Sequence, residues 1–155
     1  MIRLPFAVLA AAAALISLAA CNINNNPGPP APGPTCSPPP GVQSALVYPA
    51  PGSTAIPDTF GQVIIGSTAA LPSSWDVVLT TALSPSSLGG VHGGTFQTAT
   101  PPFPTPTATP SFANPVYQSS SFSGGNFPGE VVQVFLNDTS SNCTPLGPIG
   151  SFTTQ

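Results

Sequence analysis

Few side chains in this chain are able to do chemistry. There are three cysteines (Cys21, Cys36, Cys143), one histidine (His92) and four carboxylates (Asp58, Asp76, Glu130, Asp138), and Arg3 is the only cation. Acid–base catalysis needs titratable groups held together with shifted pKa values. Nucleophilic catalysis needs a Ser, Cys or Lys beside a base. No Gly-x-Ser-x-Gly elbow, Ser-x-x-Lys, His-Glu-x-x-His, P-loop or Gly-x-Gly-x-x-Gly occurs. The Gly-rich run Gly89–Gly94 around His92 reads as a flexible turn or loop. A zinc site fails for want of ligands, with a single His and no Cys-x-x-Cys. Calcium takes six to eight oxygens, and Asp58 with Asn137-Asp138 falls well short of that. The expectation is no catalytic set, no metal and no cofactor.

The charge content bounds the partners. Only 3% of the 155 residues are charged. Without Arg3 the chain has no Lys or Arg, so it cannot neutralise phosphates or dock on anionic head groups by charge. Nucleic acid is excluded as a partner on that ground. The 23 Pro and 15 Gly are unevenly placed, crowding 27–41 and 101–110 and leaving β-branched runs elsewhere. Disordered chains usually carry many charges, so a folded domain with Pro-rich inserts fits better than global disorder.

Residues 1–20, MIRLPFAVLAAAAALISLAA, have the three parts of a secretory signal: Arg3, an apolar stretch from Leu4 to Leu18, and small residues Ala19-Ala20. As a membrane span the apolar run sits near the lower length limit of about 17 residues and is dominated by weakly hydrophobic Ala. Leu18-Ala19-Ala20-Cys21 resembles the lipobox of bacterial lipoproteins. That resemblance implies cleavage between Ala20 and Cys21, and a diacylglycerol on the Cys21 thiol as the contact with the membrane. Two acyl chains hold a protein stably, whereas one gives binding of only about 10⁴ M⁻¹. The residue after the cysteine is Asn22 and not Asp, which by the same resemblance leans towards the outer membrane. The expected location is extracytoplasmic, lipid-anchored to the cell membrane or outer membrane.

Residues 21–41 read as the lipidated Cys and a Pro/Gly/Asn-rich tether. Repeated Pro favours polyproline II, so Asn22 to Thr35 reaches up to about 40 Å. With Cys21 acylated, Cys36 and Cys143 are left as an even pair in an oxidising compartment. A disulfide between them is expected. It would close a loop on the order of 100 residues and be worth up to about 4–5 kcal/mol in the chain-entropy model.

From residue 42 to 155 short β-rich runs alternate with turn clusters, and no 3.6-residue apolar period is sustained. The predicted strands are Ser44–Tyr48, Gln62–Gly66, Trp75–Thr81, Thr95–Thr98, Val116–Ser120, Glu130–Asn137 and Ser151–Thr154. About seven short strands at this spacing favour an all-β antiparallel sandwich. Trp75, beside Val77-Val78-Leu79, is expected in the core, the sharper alternative being an aromatic reader of carbohydrate. Thr98–Pro110, TATPPFPTPTATP, is expected to cross the surface as a long polyproline II loop. Pro/Thr tracts are also O-glycosylated in some surface proteins.

The segment VYPAPGSTAIPDTFGQVIIGS is similar to the opening of bacterial immunoglobulin-like domains, through Pro49, Gly52, Ile56 and Pro57 before Val63-Ile64-Ile65. FPGEVVQVFLN is similar to a later strand of that family, through Pro128, Gly129, Val132, Val134 and Leu136. The middle, 84–115, is longer and richer in Pro than the pattern. The resemblance implies an immunoglobulin-like sandwich acting structurally or in adhesion, with a cell-surface protein or glycan as partner. Two alternatives stand beside it. One is a small ligand- or carbohydrate-binding module using Trp75, Tyr48, Tyr117 and the exposed phenylalanines among Phe103, Phe112, Phe122 and Phe127. The other is an anchored hydrolase, against which the shortage of ionisable groups argues.

Overall fold

A computed structural model describes residues 33–81, 90–123 and 127–155. Among these residues there is no helix and there are ten strands: β1 (Thr35–Cys36), β2 (Ser44–Tyr48), β3 (Gln62–Ser67), β4 (Trp75–Thr80), β5 (Val91–His92), β6 (Gln97–Thr98), β7 (Val116–Ser121), β8 (Val131–Asp138), β9 (Thr144–Pro145) and β10 (Gly150–Thr153). Each of the seven expected strands has its counterpart, as β2, β3, β4, β6, β7, β8 and β10. The expectation did not include β1, β5 or β9, each only two residues long.

The strands form two antiparallel four-stranded sheets, ordered β2-β3-β7-β6 and β10-β8-β4-β5, and a two-stranded parallel pair β1-β9. Successive strand side chains point to opposite faces, so alternate positions of each central strand share one interior. Leu46, Val63 and Ile65 from the first sheet meet Val77, Leu79, Val132, Val134, Leu136 and Phe152 from the second in one buried cluster. This makes the fold an all-β sandwich. Trp75, 5% exposed, lies in the same cluster at the start of β4. Phe152 stands edge-on to Phe60 with ring centroids 5.1 Å apart.

Turn chemistry sets the connections. Ala50-Pro51-Gly52-Ser53 closes with the Ser53 N–H donating to the Ala50 carbonyl at 3.0 Å, and Gly52 has φ 76°. Phe127-Pro128-Gly129-Glu130 repeats the design, with a 3.2 Å bond and φ 70° at Gly129. Pro in the second place and a left-handed Gly in the third is the type II pattern. After the first turn the chain runs along the free edge of β10. The Gly52 and Ile56 N–H groups donate to the Ser151 and Thr153 carbonyls, and the Thr153 and Gln155 N–H groups donate back to Ser53 and Ile56. One edge is thereby paired, and the β5 and β6 edges are only two residues long. Short or paired edges limit strand-to-strand association.

The Pro/Thr tract is a strap and not a loose loop. The Ala99 N–H donates to the Tyr117 carbonyl, the Ala108 N–H to the Val47 carbonyl, and the Ala50 N–H to the Pro106 carbonyl, each at 2.9 Å. Phe103 packs edge-on against Tyr117 at 4.9 Å, and this pair covers Val47, Tyr48 and Ile64 on the outer face of the first sheet. Pro110 closes on Gly66, where an added Cβ would lie 2.7 Å from its ring. The tract therefore gives that sheet a second, smaller apolar layer.

Candidate functional site

β1 reaches the sandwich through its pairing with β9, Thr35 opposite Thr144 and Cys36 opposite Pro145. The Thr144 N–H donates to the Pro34 carbonyl at 2.8 Å. This brings Cys36 and Cys143 to a Cα separation of 4.9 Å, and they form the expected disulfide across 107 residues of sequence. The segment assigned to the tether, 21–41, thus contains a strand pinned to the chain just after β8. Ala20 and Cys21, the cleavage and lipidation positions, lie outside the described residues, as do the rest of the leader and the tether to residue 32.

The second grouping joins ionisable side chains far apart in sequence. Asp76 on β4 is paired with Asn137 on β8, and Val78, two residues on, is paired with His92 on β5. Side chains two apart on a strand share a face, so Asp76, Asn137 and His92 converge on the outer side of this sheet. The Asn137 amide donates to Asp76 Oδ1 at 3.0 Å, and His92 Nδ1 lies 2.7 Å from Asp76 Oδ2. A carboxylate only accepts, which assigns the proton of that bond to Nδ1. Asp76 is 7% exposed, whereas the His92 side chain is 51% exposed. A charge this buried needs such partners, and here both carboxylate oxygens are engaged.

An imidazole oriented by an acid is two thirds of a nucleophilic triad. The missing third is a hydroxyl or thiol within hydrogen-bonding reach of the ring. Among the described residues no Ser, Thr or Cys is hydrogen-bonded to His92. What the geometry does accomplish is a polar cross-link of three strands, fastening the two-residue β5 to β4 and β8.

The remaining candidates are dispersed. Asp138 binds the turn that follows it, accepting from the Ser140 N–H at 3.0 Å and from the Ser140 and Ser141 hydroxyls at 2.6 and 3.2 Å. The Ser140 hydroxyl, then the Ser140 N–H, hold the Asp138 carboxyl below its ordinary value. Asp58 is half-buried and Glu130 exposed. No group of three His, Cys, Asp or Glu side chains among the described residues is placed to hold a metal. Trp75 and Tyr48, at 5% and 6% exposure, are inside. Burial raises the Tyr48 phenol above its ordinary value. Phe103, Phe112, Phe122 and Phe127 are half-buried, and Phe122 lies 6.3 Å from Phe60.

A small apolar cleft of about 160 Å³ opens between the sheets beside the disulfide, lined by Cys36, Pro38, Ser44, Leu136, Leu146, Gly147 and Ile149. Leu146 stands at 63% exposure. The sequence did not single out this cleft, nor the Asp76–His92 contact. A carboxylate set between a Trp and two Val on a strand was the available signal for the contact. No family model, curated protein or solved structure is significantly similar to this chain.

Proposed function

We propose that this chain is an exported lipoprotein, cut before Cys21, anchored through lipid on that residue, and carrying an immunoglobulin-like domain with a structural or adhesive role outside the cytoplasm. The observation that carries the reading is the Cys36–Cys143 disulfide. Disulfides persist in oxidising compartments, and this one consumes two of the three cysteines. It leaves Cys21 as the odd thiol, directly after a signal-like apolar run and in the lipobox position.

The immunoglobulin-like part of the reading is supported by strand order. With β2, β3, β4, β5, β6, β7, β8 and β10 taken as A, B, C, C′, D, E, F and G, the sheets read A-B-E-D and G-F-C-C′. Immunoglobulin sandwiches divide their strands in that way and bury a Trp on strand C, where Trp75 lies on β4. The disulfide departs from that family's bridge between strands B and F, since it joins β1 to the segment before β9. Its place suits a tethered domain, because pull on the N-terminal segment passes through a covalent bond before it reaches the sheets. A role without catalysis is supported by the dispersal of the carboxylates and by the absence, among the described residues, of a hydroxyl or thiol hydrogen-bonded to His92.

Membrane fractionation of the Cys21→Ser variant in the source cells tests the reading. The natural chain is expected in the membrane fraction and labelled by a fatty-acid probe, and the variant unlabelled and uncleaved. Equal labelling of both would reject the anchor.

A further inference from the structure

We propose that the strap is an O-glycosylation site that takes hexose units on Thr100, Thr105, Thr107 and Thr109. Each of these threonines is next to a proline in TATPPFPTPTATP. All four are exposed, and none of their hydroxyls is engaged by a described residue. The backbone beneath them is fixed. Ala99 and Ala108 are hydrogen-bonded to Tyr117 on β7 and Val47 on β2, Pro106 to Ala50 in the turn after β2, and Phe103 is packed on Tyr117. Part of the strap is thus committed to packing, while Thr100, Thr105, Thr107 and Thr109 are exposed and engaged by no described residue.

The surface chemistry points the same way. A protein stays soluble largely through charged side chains, and here 3% of residues are charged with no cation beyond Arg3. Hexoses on the strap would supply hydration that the side chains lack. Ser/Thr-rich segments with Pro are found O-glycosylated in stalk-like surface segments.

The step is a substitution at the anomeric carbon of an activated hexosyl phosphate, polyprenyl- or nucleotide-linked. The C1–O–phosphate bond breaks, and its electron pair leaves with the phosphate. A new C1–Oγ bond forms, and the threonine proton passes to a base of the transferase. Nothing is oxidised or reduced. Export, as proposed above, is what brings the strap to such an enzyme.

The test uses protein purified from its own source cells and cut with chymotrypsin, since no Lys or Arg follows Arg3 for trypsin. Fragment mass spectra of the peptides between Phe96 and Phe112 are expected to show additions in whole hexose steps on these threonines. Replacing all four with Ala should remove the additions, and replacing them with Ser should keep them. Trp75 emission unchanged from the natural protein will show that both variants are folded. Unmodified strap peptides, phosphate additions, or hexose confined to other residues would each overturn the site. The Cys21 peptide from the same digest reports the anchor separately, so failure of one reading is not mistaken for failure of the other.

Discussion

Removing the disulfide by replacing both Cys36 and Cys143 with Ser should destabilise the domain by several kcal/mol while leaving its fold intact. The bridge closes a loop of 107 residues, nearly all of the sandwich. In the chain-entropy model such a loop restricts the unfolded chain by about 4.7 kcal/mol at 25 °C. Small domains are stable by about 5–15 kcal/mol in total, so roughly a third of the stability is at stake at the upper end of that range and nearly all of it at the lower. The loss should reside mainly in the unfolded state, because β1 and β9 contribute only two residue pairs to the folded one. Urea unfolding followed by Trp75 fluorescence provides the assay. Trp75 is the only Trp and is 5% exposed, so unfolding shifts its emission to the red. The double variant should show a lower midpoint and a steeper urea dependence, since its unfolded state is more expanded. A change under about 1 kcal/mol, against about 4.7 kcal/mol from loop closure, would show that the bridge does not stabilise the domain by restricting the unfolded chain.

Four further outcomes are expected. Asp76→Ala leaves the Asn137 amide and the His92 imidazole without their shared acceptor, and should cost about 1–3 kcal/mol in urea unfolding. Trp75→Phe should retain the fold, whereas Phe152→Ala should cost about 3–5 kcal/mol through the cavity beside Phe60. At Gly90 an added Cβ would lie 2.5 Å from Val78 and 2.6 Å from the Leu79 carbonyl. Gly90→Val should therefore detach β5, seen as faster amide exchange at His92. The raised Tyr48 phenol stabilises the fold fully below the ordinary tyrosine value, and that contribution is lost as pH rises through its folded value. The lowered Asp138 carboxyl acts in the opposite direction: its contribution is present above the ordinary aspartate value and lost as pH falls below it. A pH series of thermal unfolding checks both directions, and Asp138→Asn should lessen the loss on the acid side.

The long strands were legible because their residues make one physical demand. Val63-Ile64-Ile65 and Val131 through Leu136 are too apolar and β-branched to sit anywhere but in a sheet. Their turns were legible for a similar reason, since Pro51-Gly52 and Pro128-Gly129 have one low-energy way to bend. Three of the four two-residue strands were not legible. Thr35-Cys36 and Thr144-Pro145 have no periodicity to read, and Val91-His92 is embedded in glycines whose sequence signals a loop. Composition marked the Pro/Thr tract as surface but gave no hint that it is hydrogen-bonded to Val47 and Ala50. The contact of Asp76 with His92 depends on register between β4 and β5, and no local pattern encodes register across sixteen residues of chain. The disulfide was foreseen only because the lipobox removed Cys21 from the count.

Lipid on Cys21 is what the proposed function stands on. Mass spectrometry of the mature N-terminal peptide, taken from source-cell membranes, tests it most directly. The expected chain begins at Cys21 and is heavier than its sequence by a diacylglyceryl group. A soluble chain beginning at Met1, or at Cys21 with a bare thiol, contradicts it.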